Sequence, residues 1–401
     1  MWSRIFQRML TQFVQTGAIE IRLPDGRLLR AGNAAQDPVR LRITERTVLR
    51  RLCLNPELAL GEAYMDGTLT IENDDLESML AVMVANLKSG RRQSILYLQA
   101  AMRTALRRLA QYNPAKRSRT NVEHHYDLTD ELYEIFLDAD LQYSCGYFPT
   151  GAESLDEAQM AKKSHIMRKL CLRPGLRVLD IGSGWGGLGI SLARDHDCSV
   201  LGVTLSTNQH AKSNLRAAAA GVGDRVSFSL MDYRTINDTF DRIVSVGMFE
   251  HVGAPHYLQF FQSLRDLLKD DGVALLHTIG RSGRPGSTNP WITKYIFPGG
   301  YVPALSEVLQ AIEQVGLVVT DIEVWRLHYA RTLQKWHERF QDNLDTARTL
   351  YDERFCRMWR YYLVASEMSF RHNNQVVFQV QLAKSNTTTP LTRNYMYIPT
   401  G

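Results

Sequence analysis

The segment Val178-Leu179-Asp180-Ile181-Gly182-Ser183-Gly184-Trp185-Gly186-Gly187 combines an apolar run, an acid and closely spaced glycines. An apolar run entering such a turn reads as a buried strand whose backbone then takes unusual dihedrals and approaches a ligand closely. The competing reading is a strand-to-helix turn with no ligand at all. The spacing is GxGxG and not the GxGxxG that seats a pyrophosphate on a helix N-terminus. Asp180, two positions before the first glycine, is badly placed against phosphates and well placed against a cationic or hydroxylated ligand. S-adenosylmethionine, with its ammonium, sulfonium and ribose, is a ligand of that chemistry.

Two further segments fall where later strands should end, the position at which open α/β sheets hold ligands. They are Thr204-Leu205-Ser206-Thr207-Asn208-Gln209 and Asp232-Tyr233-Arg234. A second strand of this kind usually ends in an acid that binds ribose; here Ser206 and Gln209 must serve instead. Taken alone, each segment reads equally well as an ordinary loop.

The elements that would position these residues follow from periodicity. Apolar strand-like runs cover 177–181, 198–204, 225–230, 242–246 and 273–279, with helical patterns between most of them. That alternation predicts an α/β fold with a doubly wound, mainly parallel sheet. Before it, residues 1–90 read as a smaller α+β domain. Strands are expected at 19–23 and 39–43, and a helix at 76–87 behind the N-cap signal Asn73-Asp74-Asp75. Between Arg103 and Arg119 lie six basic residues and no acidic one, a basic amphipathic helix followed by a polar linker. The division expected is 1–110 for an N-terminal lipid- and membrane-associating, possibly dimerising domain, 111–120 for a linker, 121–390 for the catalytic domain and 391–401 for a tail.

Composition narrows the function classes. With 44% hydrophobic and 22% charged residues the chain is of ordinary globular type. No stretch reaches the ~18 apolar residues of a membrane span, and the N-terminus lacks the pattern of a secretory signal. The five cysteines form no CxxC pair and no even framework, which suits a reducing cytosol and argues against a metal site. His124 and His125 are adjacent and cannot easily share one ion. The basic stretch is accompanied by no recognised nucleic-acid module, so no nucleic-acid partner is expected.

Eight strings of the catalytic half occur in a familiar order: VEHHYDLTDELYEIFLD, LQYSCGYF, VLDIGSGWGG, GVTLSTNQ, DRIVSVGMFEHVG, LLHTIG, WITKYIFPGG and LHYARTLQKWHERF. By them the region from about 121 to 384 resembles the cyclopropane-fatty-acid synthases, a family that includes the mycolic acid cyclopropane synthases. The N-terminal module resembles, more loosely, the extra domain of the phospholipid-acting branch. The resemblance implies a fold of the S-adenosylmethionine-dependent methyltransferase type. It implies an enzyme, a cyclopropane-fatty-acyl-phospholipid synthase, that moves a methylene unit onto the cis double bond of an unsaturated phospholipid acyl chain. The alternative within the same chemistry is a lipid C-methyltransferase that leaves a methyl or methylene branch.

For the cofactor the resemblance implies Gly182, Ser183 and Gly184 at the methionine end with Tyr143 and Ser144 nearby, Asp180 beside the turn, and Thr204, Leu205, Ser206 and Gln209 by the ribose. Asp232 and Tyr233 belong by the adenine, and His125 with Tyr126 closes over the cofactor. Position 183, often Cys in relatives, is Ser here, and a late cysteine of some relatives is replaced by Ser366. A bound bicarbonate would act as base, held by Cys145, Glu250, His277, Tyr329 and the backbone amide of Ile279. Read by residue type alone, Cys145 is equally a small buried residue, His277 a core histidine and Tyr329 a packing aromatic.

The Gly- and Pro-rich stretch 280–303, with Trp291, Tyr295, Ile296 and Phe297, reads either as a lid over an acyl channel or as a packed surface loop. The basic stretch 103–119 suits anionic headgroups, at about 1 kcal/mol per basic residue near a charged surface, against the bland reading of a solvated linker. The expected setting is cytoplasmic, peripheral on the inner face of the membrane. The family precedent adds a homodimer.

Overall fold

The computed structural model describes residues 1–89, 102–104, 111 and 128–397. The chain forms two compact units: Met1–Leu106 with Ser287–Pro298 and Leu333–Gln375, and Arg107–Gly286 with Gly299–Thr332 and Val376–Gly401.

In the first unit, helix α1 (Trp2–Phe13) precedes a four-stranded sheet of β1 (Ala18–Arg22), β2 (Leu28–Gly32), β3 (Val39–Ile43) and β4 (Leu69–Ile71), in the order β2-β1-β3-β4. Helices α2 (Arg46–Leu54), α3 (Pro56–Met65) and α4 (Leu76–Ser89) complete the N-terminal part. The Asp75 carboxylate accepts from the Ser78 amide at 3.0 Å, so the acid at the end of the expected cap signal starts α4. The helix Glu353–His372 packs on α3 and α4.

The stretch 280–303 is not wholly irregular. Residues Pro290–Tyr295 form a helical turn begun by the Asn289 carboxamide, which accepts from the Trp291 amide at 2.8 Å. Trp291 is buried in the first unit, its indole N–H on the Met65 sulfur at 3.2 Å and its ring 4.7 Å from that of Tyr361. A Cβ on Gly61 would fall 2.4 Å from the indole nitrogen, so a glycine there lets α3 and Trp291 meet.

The second unit is a seven-stranded sheet in the order β10-β11-β9-β8-β5-β6-β7. Its strands are β5 (Arg177–Ile181), β6 (Ser199–Thr204), β7 (Val226–Leu230), β8 (Phe240–Val246), β9 (Leu268–Arg281), β10 (Val318–Trp325) and β11 (Gln375–Ala383). Neighbours from β7 through β9 are parallel, and β10 pairs antiparallel with β11. Apolar residues of β5, β8 and β9 form the core with α8 (Tyr257–Leu267) on one face. α6 (Gly187–His196) and α5 (Leu155–Lys169) cover the other. α5 begins at a capping box, Ser154 and Glu157 each accepting the other's backbone amide. β9 runs well beyond the stretch 273–279 expected for it, and β2, β4, β10 and β11 had no strand assigned from sequence.

Candidate active site

β5 lies where the strand order reverses, with β6 and β7 on one side and β8 and β9 on the other. In an open sheet that crevice, beyond the carboxyl ends of the strands, is where a ligand reaches the backbone. A cleft enclosing about 1310 Å³, counted out to the solvent, opens there.

The glycine turn forms its floor. Gly182, Gly184 and Gly186 have φ of +85°, +54° and +84°, in the left-handed region that side chains avoid. At Gly182 a Cβ would also stand 2.8 Å from Cβ of Met248, so only glycine fits, whereas at Gly184 the same atom would meet open space. Asp180 lines the cleft, almost wholly buried. Burial pushes its carboxyl up to about 7, against the charge of Lys162, which pulls it down. A carboxylate that is costly to ionise alone gains most when a cationic ligand arrives beside it. The donor set therefore fits the aminoacyl end of S-adenosylmethionine.

Tyr143, Ser144, Ser183, Thr204, Leu205, Gln209, Asp232 and Tyr233 also line the cleft. The Thr204 hydroxyl donates to Oε1 of Gln209 at 2.9 Å. Asp232 is gripped by Arg234, Nε to Oδ1 at 2.8 Å and Nη2 to Oδ2 at 2.5 Å. Burial works to raise the Asp232 carboxyl, but these hydrogen bonds outweigh it and hold the group below its ordinary value. Ser206 stands apart from the other residues expected at the cofactor. It does not line the cleft, because its hydroxyl is the N-cap of α7 (Thr207–Ala219) and accepts from the Gln209 amide at 3.3 Å. His125 and Tyr126 lie outside the described residues.

The cleft also contains residues that were not singled out from the sequence, Lys162 and Gln142 foremost. Nζ of Lys162 donates to Oε1 of Gln142 at 2.6 Å and to the Ser144 hydroxyl at 2.7 Å. The other end of the Gln142 amide donates to Asp140 at 3.0 Å, and Gln159 donates to the Ser144 carbonyl at 2.9 Å. The loop presenting Tyr143 and Ser144 is thus held from below by α5. Burial lowers the Lys162 ammonium to about 8. His251, also in the lining, is pushed down to about 4 by burial and is neutral at pH 7.

Cys145, Glu250, His277, Ile279 and Tyr329 do not line this cleft; all belong to the same unit, and Cys145 follows Ser144 and Glu250 precedes His251, both of which are in the lining. Glu250 sits in a short turn after β8, and the Ile279 amide donates to its Oε1 at 2.6 Å. Its Oε2 is buried with no hydrogen-bond partner among the described residues. Burial pushes this carboxyl up to about 7, with the Ile279 amide, its own backbone amide and the Thr278 hydroxyl pulling the other way. Its charged and neutral forms are therefore nearly balanced at neutral pH. Cys145 is a buried neutral thiol whose proton points to the Gly146 carbonyl at 3.3 Å, and burial holds its ionisation far above the usual range. The Gly146 amide donates to Thr332 Oγ1 at 3.0 Å, which sets Cys145 beside the first turn of α9 (His328–Asp342), the turn that carries Tyr329. His277 on β9 is buried, contacts Gln379 at 3.0 Å and meets Trp325 edge-on at 5.2 Å. Direct contact joins Glu250 to Ile279. The Ile279 amide, expected to face a bound anion, is engaged by that carboxylate.

The sheet order, the glycine turn and the cleft define an S-adenosylmethionine-dependent transferase of the methyltransferase class. Within that class the family described as mycolic acid cyclopropane synthetase matches residues 113–380, and the chain belongs to it. Residues 5–94 match a separate domain of unknown function. The chain is 39% identical over 366 residues to the cyclopropane-fatty-acyl-phospholipid synthase of Escherichia coli, covering 90% of this chain and 93% of that one. It is 34% identical to a probable fatty acid methyltransferase of Pseudomonas putida, over 94% of this chain and 96% of the relative. Among solved structures, the cyclopropane synthase MmaA2 from Mycobacterium tuberculosis superposes with a TM-score of 0.64 at 34% identity, over 68% of this chain and 99% of that one.

Proposed function

We propose that this enzyme transfers a methylene unit from S-adenosylmethionine to the cis double bond of an unsaturated phospholipid acyl chain and closes it to a cyclopropane ring. The observation that supports this best is Glu250, a buried carboxyl that accepts from the Ile279 amide, whose other oxygen has no hydrogen-bond partner among the described residues, and which precedes His251 of the cleft lining. S-adenosylmethionine supplies a methyl group on a sulfonium, the driving force a weakly nucleophilic alkene requires. Closing the ring then requires the loss of one proton from the added methyl, so the products are the cyclopropane, the thioether and a proton. Bicarbonate, when held, supplies the base for that proton.

The donor set fits such an anion. Cys145 carries a neutral S–H, Tyr329 brings a phenol O–H, and His277 is kept neutral, held well below its ordinary value first by burial and then by the charges of Lys162 and Lys169. Glu250 Oε2 is the oxygen left to share the anion's own proton, because Oε1 is taken by Ile279. In this reading Ile279 orients the carboxylate. Asp180 and the glycine turn hold the aminoacyl end of the methyl donor, Thr204 and Gln209 its ribose, and Tyr143 and Ser144 the wall between donor and reaction centre. A closed, dry pocket keeps a developing carbocation from water.

The setting we propose is cytoplasmic, with a homodimer resting peripherally on the anionic inner face of the membrane. No helix among the described residues is long and apolar enough to cross a membrane, and the basic stretch 103–119 supplies attraction to charged headgroups.

The test is product analysis by gas chromatography and mass spectrometry of unsaturated phospholipid vesicles, with and without added bicarbonate. A cyclopropane that depends on bicarbonate is expected. A methylene-branched product of the same mass but different elution would replace this reading with C-methylation, which the likeness to a fatty acid methyltransferase favours. Ring formation indifferent to bicarbonate would remove the anion from the mechanism.

A further inference from the structure

We propose that Gln379 fixes His277 in the Nε2-protonated tautomer, so that the imidazole is a hydrogen-bond donor in the reaction centre and not its base. The role as donor rests on the reaction proposed above; the tautomer itself rests on the packing.

β11 reads Gln375-Val376-Val377-Phe378-Gln379-Val380-Gln381-Leu382-Ala383, apolar except for glutamines at one end and at two alternate positions within. Side chains two apart share a face, so Gln379 and Gln381 lie together. Facing them across the antiparallel pair are Glu323, opposite Gln379, and Asp321, opposite Gln381. Gln379 is fully buried, which is costly for a carboxamide unless a specific partner requires it. Its partner is His277, with Nε2 of the amide 3.0 Å from Nδ1 of the ring. Among the described residues the ring makes no other hydrogen bond.

With the amide in this orientation the roles of the two partners follow. An amide nitrogen donates only, so Nδ1 must accept. The groups acting on His277 besides burial are Lys162, Lys169 and His165, which oppose protonation, and Glu323, which favours it; the balance keeps the ring neutral with a single N–H. Glu323 is itself engaged by His165 at 2.7 Å and Lys169 at 2.5 Å. With Nδ1 accepting, that proton stands on Nε2. Turning the amide over would reverse the tautomer and bury two N–H donors without an acceptor. The present orientation leaves one N–H and the carbonyl of Gln379 unmatched among the described residues, and a buried carbonyl is left unpaired more readily than an N–H. Gln379 is therefore a positioning residue, acting through His277.

The direct test is ¹⁵N NMR of histidine-labelled protein, with His277 assigned by its loss in His277→Gln. A pyridine-type Nδ1 and a pyrrole-type Nε2 are expected; the reverse pattern overturns the inference whatever the variants do. Activity supplies an independent arm. His277→Gln keeps an amide N–H near the place of Nε2 but cannot serve as a base. It should retain measurable ring formation, and His277→Ala should not; equal inactivity of the two, with both folded, overturns the donor role. Gln379→Met should raise the bicarbonate concentration for half-maximal rate by about tenfold, the worth of one hydrogen bond, with KM for S-adenosylmethionine within about twofold. An unchanged bicarbonate response in folded Gln379→Met would also overturn it. Should the wild-type enzyme ignore bicarbonate, the reaction scheme fails, while the tautomer is still decided by NMR.

Discussion

Glu250→Gln should cost the enzyme its ring-forming activity and make the fold more stable in alkali. The carboxyl of Glu250 is pushed from 4.5 up to about 7 by burial. In the unfolded chain it ionises from about pH 4.5 upward, while in the fold it keeps its proton until about pH 7. Across that window the folded state binds more protons, so stability falls as pH rises and the loss is complete above pH 7. At about 1.4 kcal/mol per pH unit the ionised carboxylate costs the fold about 3 kcal/mol. Glutamine abolishes the titration and keeps an oxygen for the Ile279 amide. It also buries an N–H₂ in place of the unmatched Oε2, a penalty of about 1–3 kcal/mol that does not vary with pH. The absolute change at one pH is therefore small, and the informative quantity is its pH dependence. Between pH 5 and pH 8 the variant should gain about 2–3 kcal/mol relative to wild type. Asp180 is also pushed up to about 7, but it titrates in both proteins and drops out of the difference. Denaturant unfolding followed by tryptophan fluorescence at both pH values measures it. A difference that stays constant with pH would refute the argument that burial sets the protonation of Glu250.

Gly182→Ala should lose about 1–3 kcal/mol, because φ is +85° and the new methyl falls 2.8 Å from Cβ of Met248. Calorimetric titration with S-adenosylhomocysteine should show affinity falling with it, and Gly184→Ala, facing open space, should lose less stability. Reversing Arg107 and Arg108 to Glu should weaken sedimentation with anionic vesicles at low salt and leave neutral vesicles unaffected. Unchanged binding to anionic vesicles would detach the basic stretch from membrane docking.

The residues that line the cleft were legible in the sequence because each is tied to a local rule. A buried strand running into glycines of fixed spacing has few conformations open to it, and Gly182 and Gly184 adopt the positive φ that such a turn needs. Likewise, Thr204, Gln209, Asp232 and Tyr233 follow strand ends, and a parallel sheet brings strand ends to one edge. Ser206 shows the limit of that logic: a serine at a strand end is equally the first cap of the next helix, and here the cap is what it forms.

What only the tertiary structure decided are the buried polar groups. Lys162 and Lys163 fall on the stripe of α5 that also carries Ala158, Gln159 and Ile166, and all five are buried. Periodicity treats lysine as a solvent-facing residue, so nothing local announces that its ammonium will be enclosed against Gln142 and Ser144. Gln379 and Gln381 interrupt an apolar strand for reasons that lie on other elements, at His277 on β9 and at the Lys169 carbonyl at the end of α5. The stretch 280–303 behaves the same way: its composition suggested an irregular lid or a packed surface loop, and the burial of Trp291 depends on Gly61, more than two hundred residues away. Secondary structure and backbone turns follow from interactions a few residues long. The protonation of Glu250, the tautomer of His277 and the charge of Lys162 depend on how much water and which dipoles surround them, and folding alone assembles that environment.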